Sequence, residues 1–307
     1  MKTSDTEKPR VVATIPVGAK PVGVAVDVHD HVFVTNSGGS TVSVINSVTN
    51  KVSATLNVGF RPESVATDPQ FGVYVANGGN GTVSALDRFH ALAATVVVGG
   101  PPGSPQSDML RLAVDHLMGR AYVANRGLDR VSIIRISSDP PALSFDFTEV
   151  KGPLGVAVDP VSHRVFVTRP DHNEVSVIDA TTLGVIRNIP VGQNPTGIAI
   201  DPQKRRVYVA NSGFKTVSVI DSTTSGVANI DVGASPTGVA VDSHGGVYVT
   251  HPDGLVRVID PSSASVTARI PVGSQPQGLA FEPHSSRVYV ANRGDGTVSA
   301  IDLAGGQ

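Results

Sequence analysis

Arg111, Arg169 and His251 stand where matching stretches of the chain carry Gly or Asn. A guanidinium is a rigid fork of donors suited to a carboxylate or phosphate. An imidazole titrates near neutrality and is the natural proton carrier. The other matching stretches end in Asn36, Asn77, Asn125, Asn211 and Asn292. An amide both donates and accepts, so a ring of Asn interrupted by Arg169 and His251 could bind or protonate a polar ligand. Asn also tolerates turns and caps backbone groups, and Arg169 and His251 read equally as drift at a solvated loop. Ser64 replaces another recurrent Gly, beside Arg61 and Glu63. The run from Arg169 to Glu174 puts the most chemistry into one loop. His172 within it is a second candidate acid or base, or one side chain of a hydrophilic turn.

The elements that must position these residues recur along the chain. A Pro-x-Gly anchor followed by an alternating apolar run appears at Pro21, Pro153, Pro195, Pro236 and Pro276; Pro62 keeps the Pro but has Ser64 for the Gly, and Met109 marks the most altered copy. Each anchor is followed by a run such as Val73-Tyr74-Val75-Ala76-Asn77, then one such as Thr216-Val217-Ser218-Val219-Ile220-Asp221, then one such as Ala13-Thr14-Ile15-Pro16-Val17-Gly18. Four short Val- and Ile-rich runs per unit, separated by Gly, Asn, Asp or Pro, are strands and turns. Four strands repeating at this period make one propeller blade. Seven units predict an all-β, seven-bladed β-propeller over 11–302, with short tails at 1–10 (disordered) and 303–307. The chain starts with a fourth-strand segment, Val11 to Val17, and ends after a third strand, Thr297 to Asp302. The N-terminal strand is therefore expected to close the last blade and remove its free edge.

The Val-Tyr-Val-Ala-Asn and Ile-Pro-Val-Gly signatures resemble the YVTN β-propeller repeat family, from Val11 to Asp302. The resemblance implies the fold; members of that family are often exported or surface-associated, frequently without a known reaction. Propellers similar to antibiotic-opening lyases and sugar lactonases show that such a ring can host chemistry. Their Trp-rich repeats have no counterpart here, since the chain contains no Trp, and no residue is carried over from them.

In such a ring the inner strand of each blade lines a central channel, and the loops joining second to third strands share one face, the top, with the loops leading into the next inner strand. Ligands belong there, because loops vary while strands must pack. At the altered anchor, Met109-Leu110-Arg111, a guanidinium is expected to project into the channel mouth where other units have Gly. The enlarged loop from Gly99 to Asp108 precedes it, as a rim, a lid or a tolerated insertion. Arg111, Arg169 and His251 are expected in one pocket, with Asn125 and Asn211 nearby. On the opposite face Asp27, Asp68, Asp115, Asp159, Asp201, Asp242 and Glu282 recur before turns and read as turn caps, so no metal site and no cofactor is expected. The histidines near them, including His29, His31 and His284, sit at unequal offsets and form no symmetric cluster, which leaves a zinc site among them as the alternative to plain turns.

Composition bounds the partners. The 307 residues carry a formal net charge of -2, which provides no field for nucleic acid or an anionic membrane. There is no Cys, which excludes disulfides, thiolate metal sites and Cys catalysis. No phosphate-cradling glycine loop, nucleophile elbow or His-Glu-x-x-His is present. The expected protein is a soluble monomer, cytoplasmic as the sequence stands or exported if a leader was removed. Its expected role is to bind a polar or anionic small molecule, or a protein partner, over the channel. The alternative is a lyase or hydrolase acting there with His251 as acid or base.

Overall fold

Seven four-stranded antiparallel sheets form the ring in the computed structural model, which describes residues 8–99, 110–137 and 142–303. The protein is a seven-bladed β-propeller. The inner strands, in blade order, are Pro21–Val26, Pro62–Asp68, Leu110–Asp115, Val156–Asp159, Pro195–Asp201, Val239–Val241 and Pro276–Glu282. Each approaches the inner strand of the next blade, and the seventh returns to the first. The strand Arg10–Pro16 pairs with Thr297–Asp302, from Arg10 against Asp302 to Pro16 against Thr297, and completes the last blade. The loop expected at Gly99 to Asp108 lies, beyond Gly99, outside the described residues, as do Met109 and most of both tails.

The hydrophobic core is not in the middle of the ring. It is divided into clusters, each between two adjacent blades. The second strands supply the center of each cluster: Phe33, Tyr74, Tyr122, Phe166, Tyr208, Tyr248 and Tyr289 are at most 4% exposed. These strands have a blade on both faces, so they read as continuous apolar runs rather than alternating ones. The fourth strands alternate exposed and buried, as in Arg10–Pro16, because only one face meets protein. With Trp absent, one Phe or Tyr per blade serves as the wedge.

The acidic ring behaves as turn caps. Asp27, Asp68, Asp115, Asp159, Asp201, Asp242 and Glu282 each accept backbone N–H groups of the turn that follows. This ties each inner strand to its second strand and fixes where the inner strand leaves the channel.

Candidate functional site

The inner-strand glycines exist for the neighboring blade. A Cβ on Gly155, Gly197, Gly238 or Gly278 would lie 2.3 to 2.8 Å from a backbone carbonyl oxygen of the next inner strand. Glycine there lets adjacent strands approach closely. Ser64 and Arg111 occupy the same position in blades two and three, and side chains replace the close backbone approach. Ser64 Oγ accepts from the Leu112 N–H at 3.2 Å, and Glu63 Oε2 accepts from the Leu110 N–H at 3.1 Å. Blade three also loses an irregularity. In blades one, two, five and seven the inner strand bulges at this point, as between Pro21 and Val24, whereas Leu110 to Asp115 pairs residue for residue with Asn125 to Arg120.

The result is a cavity of about 530 Å³ over the channel. Seven aliphatic side chains, one per blade, form its inner wall: Val24, Val65, Leu112, Val156, Ile198, Val239 and Leu279. Above them the polar groups divide by side. Blades two and three supply Glu63, Ser64, Arg111 and Arg126, whereas blades five to seven supply Asn194, Thr196, Ser212, Thr237 and Gln277. Arg111 Nη1 donates to Glu63 Oε2 at 3.3 Å and to the Leu110 carbonyl at 3.2 Å, and Arg61 Nε stands 3.0 Å from Glu63 Oε1. Glu63 is buried between two cations. Burial pushes its carboxyl above the ordinary glutamate value, against the opposing pull of Arg111 and Arg61. At the rim, Arg126 bridges blades three and four through a two-point contact with Asp171, at 2.7 and 2.8 Å.

Arg111, Arg169 and His251 do not share this cavity. Arg111 and Ser64 line it, and Arg169, His251, His172 and the five Asn do not. The Asn side chains turn into their own blades. Asn36 Nδ2 donates to Thr41 Oγ1 and Ser43 Oγ, both at 3.0 Å. Asn77, Asn211 and Asn292 repeat the arrangement with their own Thr and Ser. Asn125, whose blade has Arg130 in place of that Thr, donates instead to the Val98 carbonyl. A Cβ on Gly18, Gly59, Gly192 or Gly273 would collide with the corresponding Asn, so the Gly ending each Pro-Val-Gly or similar run makes room for the amide.

The departures are compensated inside the blade as well. Arg169 pairs with Glu174, which takes the Thr place, at 2.8 Å, and its Nε donates to the Lys151 carbonyl. His251 is fully buried, with Nδ1 donating to the Val249 carbonyl at 3.1 Å. Arg257 stands in the Ser place of that blade and is held by Asp253 at 2.7 Å. Burial, reinforced by Arg257, pushes the His251 imidazole down to about 4. His172 is exposed in the single-turn helix Pro170–His172 at the rim. A signal for this was present in the chain: Asn36, Asn77, Asn211 and Asn292 are each followed by Thr five residues on and Ser seven on, whereas the unit of Arg169 has Glu174 for the Thr and the unit of His251 has Leu255 and Arg257 for both.

The fold defines a β-propeller scaffold with a cavity over its channel. The solved structures it resembles include Kuenenia stuttgartiensis hydrazine synthase, at 20% identity and TM-score 0.77, covering 93% of this chain and 96% of that one. A streptogramin B lyase matches at 13% identity and TM-score 0.78, covering 96% and 97%. A chain of a mitotic checkpoint complex matches at 16% identity and TM-score 0.81, covering 99% and 95%. At these identities the likeness is one of fold. No family model and no curated protein matches the chain. No helix among the described residues is long and apolar enough to cross a membrane.

Proposed function

We propose that the protein is a binding propeller whose top-face cavity takes a small molecule with an apolar body and a polar or anionic group. The carrying observation is the one-sided cavity itself: an aliphatic ring with charge confined to blades two and three. Its volume falls within the range of about 300–1,000 Å³ usual for ligand pockets. Both hydrogen bonds from Arg111 leave through Nη1, so the rest of its fork is what a carboxylate would meet. Glu63 fixes the guanidinium, and the apolar body would lie across Leu112 and Val156 toward the hydroxyls of Thr196 and Thr237. The repeat's likeness to the YVTN family is compatible with such a role and adds no ligand. A lyase or hydrolase at this site would need a proton carrier other than His251, which lies outside the cavity. The test is melting temperature against a series of medium-chain carboxylates, sulfonates and phosphates, with octanoate as first probe. Octanoate should raise the melting temperature of the wild type and lose at least tenfold in affinity in Arg111→Ala. A series that leaves the wild type unmoved, or binds Arg111→Ala equally, overturns the reading.

A further inference from the structure

The face opposite the cavity carries a second constellation. At several junctions an arginine at the start of a second strand reaches a turn carbonyl of the next blade. Arg120 Nη1 donates to Ala180 at 2.6 Å, Arg287 Nη1 to Ser47 at 2.9 Å, and Arg164 Nη1 to Ser222. In blade one that first residue is His31. Across the junction, the turn of blade two between third and fourth strands presents His90. Asp27, the turn cap of blade one, lies between them.

The three side chains bring one ligating atom each within 4.8 Å of one another. Asp27 Oδ2 is 2.9 Å from His31 Nδ1 and 3.9 Å from His90 Nε2. A tetrahedral ion with bonds of about 2.0–2.1 Å holds its ligand atoms ~3.3 Å apart, so shifts of well under an ångström bring these two distances to that value. The supports are already in place. Asp27 Oδ1 accepts the His29 and His31 backbone N–H groups at 2.8 and 2.9 Å, which aims Oδ2 at the imidazoles. Buried Phe33 meets both rings edge-on, with centroids 6.3 Å from His31 and 5.0 Å from His90. The imidazoles are nearly perpendicular, at 89°. All three residues are partly exposed, which admits the ion and a water ligand.

We propose that Asp27, His31 and His90 bind a late first-row divalent metal, Zn²⁺ foremost, which staples blade one to blade two where the arginine clamp is replaced. Two imidazoles and one carboxylate favor such an ion over Ca²⁺ or Mg²⁺, which take oxygen ligands. The sequence favored turn caps over a metal because the acids recur before turns and the histidines of this face have unequal offsets; His90 comes from a different turn of a different blade, and only the stacking of adjacent blades brings it to His31.

The experiment is equilibrium dialysis of the untagged chain against micromolar Zn²⁺, with metal quantitation and melting temperature. The wild type should hold one Zn²⁺ per chain and melt higher with it. His90→Phe, which keeps a ring against Phe33, should lose at least tenfold in affinity and all of the melting shift. Should that variant fail to fold, His31→Gln, which retains a side-chain bond to Asp27, is read the same way. His284→Ala should keep the ion, because the neighboring Asp30, Glu282 and His284 group is separate. Substoichiometric binding by the wild type overturns the proposal, as does binding unchanged in both His90→Phe and His31→Gln, or binding lost with His284→Ala.

Discussion

Arg111 and Arg169 both interrupt the repeat with a guanidinium, and their surroundings differ. Arg169 ends a second strand, where the side chain turns into the blade and meets Glu174 and the Lys151 carbonyl. Arg111 begins an inner strand, where other blades have Gly pressed against a neighbor's backbone, and its side chain extends into the channel. His251 follows Arg169: one substitution drew in another, Arg257, and the pair stays inside blade six. A departure at the end of a second strand is therefore answered by its own sheet. A departure on the inner strand has no sheet partner on the channel side and changes the surface a ligand would meet.

The largest expected effect tests the element on which both regions depend. Removing residues 1–18 takes away the strand paired with Thr297–Asp302 and the buried Ile15. The bare edge then invites pairing between chains, so the truncated protein should aggregate or lose most of its cooperative melting. A truncation that stays monomeric and melts unchanged would show that closure is not made by this strand.

The second effect isolates the interior of blade six. The His251 value is pushed from 6.5 down to about 4 in the folded protein. A depressed base contributes stability that is fully present above its unfolded value. That stability is lost as the pH falls from about 6.5 through 4. With about 1.4 kcal/mol per unit, the loss is on the order of 3 kcal/mol between pH 7 and pH 4. Urea unfolding across this range, compared with His251→Asn, should show the excess slope in the wild type alone. Equal slopes would mean that the imidazole is solvated.

The smallest effect separates the two arginines directly. Glu174→Ala strands the largely buried Arg169, and with Glu174 itself partly exposed the expected loss is about 2 kcal/mol rather than the full cost of a buried pair. Restoring the repeat with Arg169→Asn and Glu174→Thr together should return stability to within about 1 kcal/mol of the wild type. Neither change should alter ligand binding in the cavity, whereas Arg111→Ala should. Coupling between the Arg169 pair and ligand affinity would erase the distinction.

The strands, their number per blade and the closure of the ring were legible from residue type and spacing alone. A strand has a period of two, turns need Gly, Pro, Asn or Asp, and both signals repeat at short range in every unit. That Arg111 and Ser64 reach the channel was legible too, because the inner-strand position could be assigned within the repeat. The direction of the second-strand Asn, Arg169 and His251 was not. It depends on the Gly of the neighboring turn that leaves room for the amide, as Gly18 does for Asn36, and on the Thr and Ser that accept from it. The sequence by itself determined the ring, since local periodicity and turn chemistry act within a few residues. Only the tertiary structure decided which breaks in the repeat face a ligand and which histidines meet, because contacts such as Glu63 with Leu110 or His31 with His90 join residues that only the stacking of adjacent blades brings together.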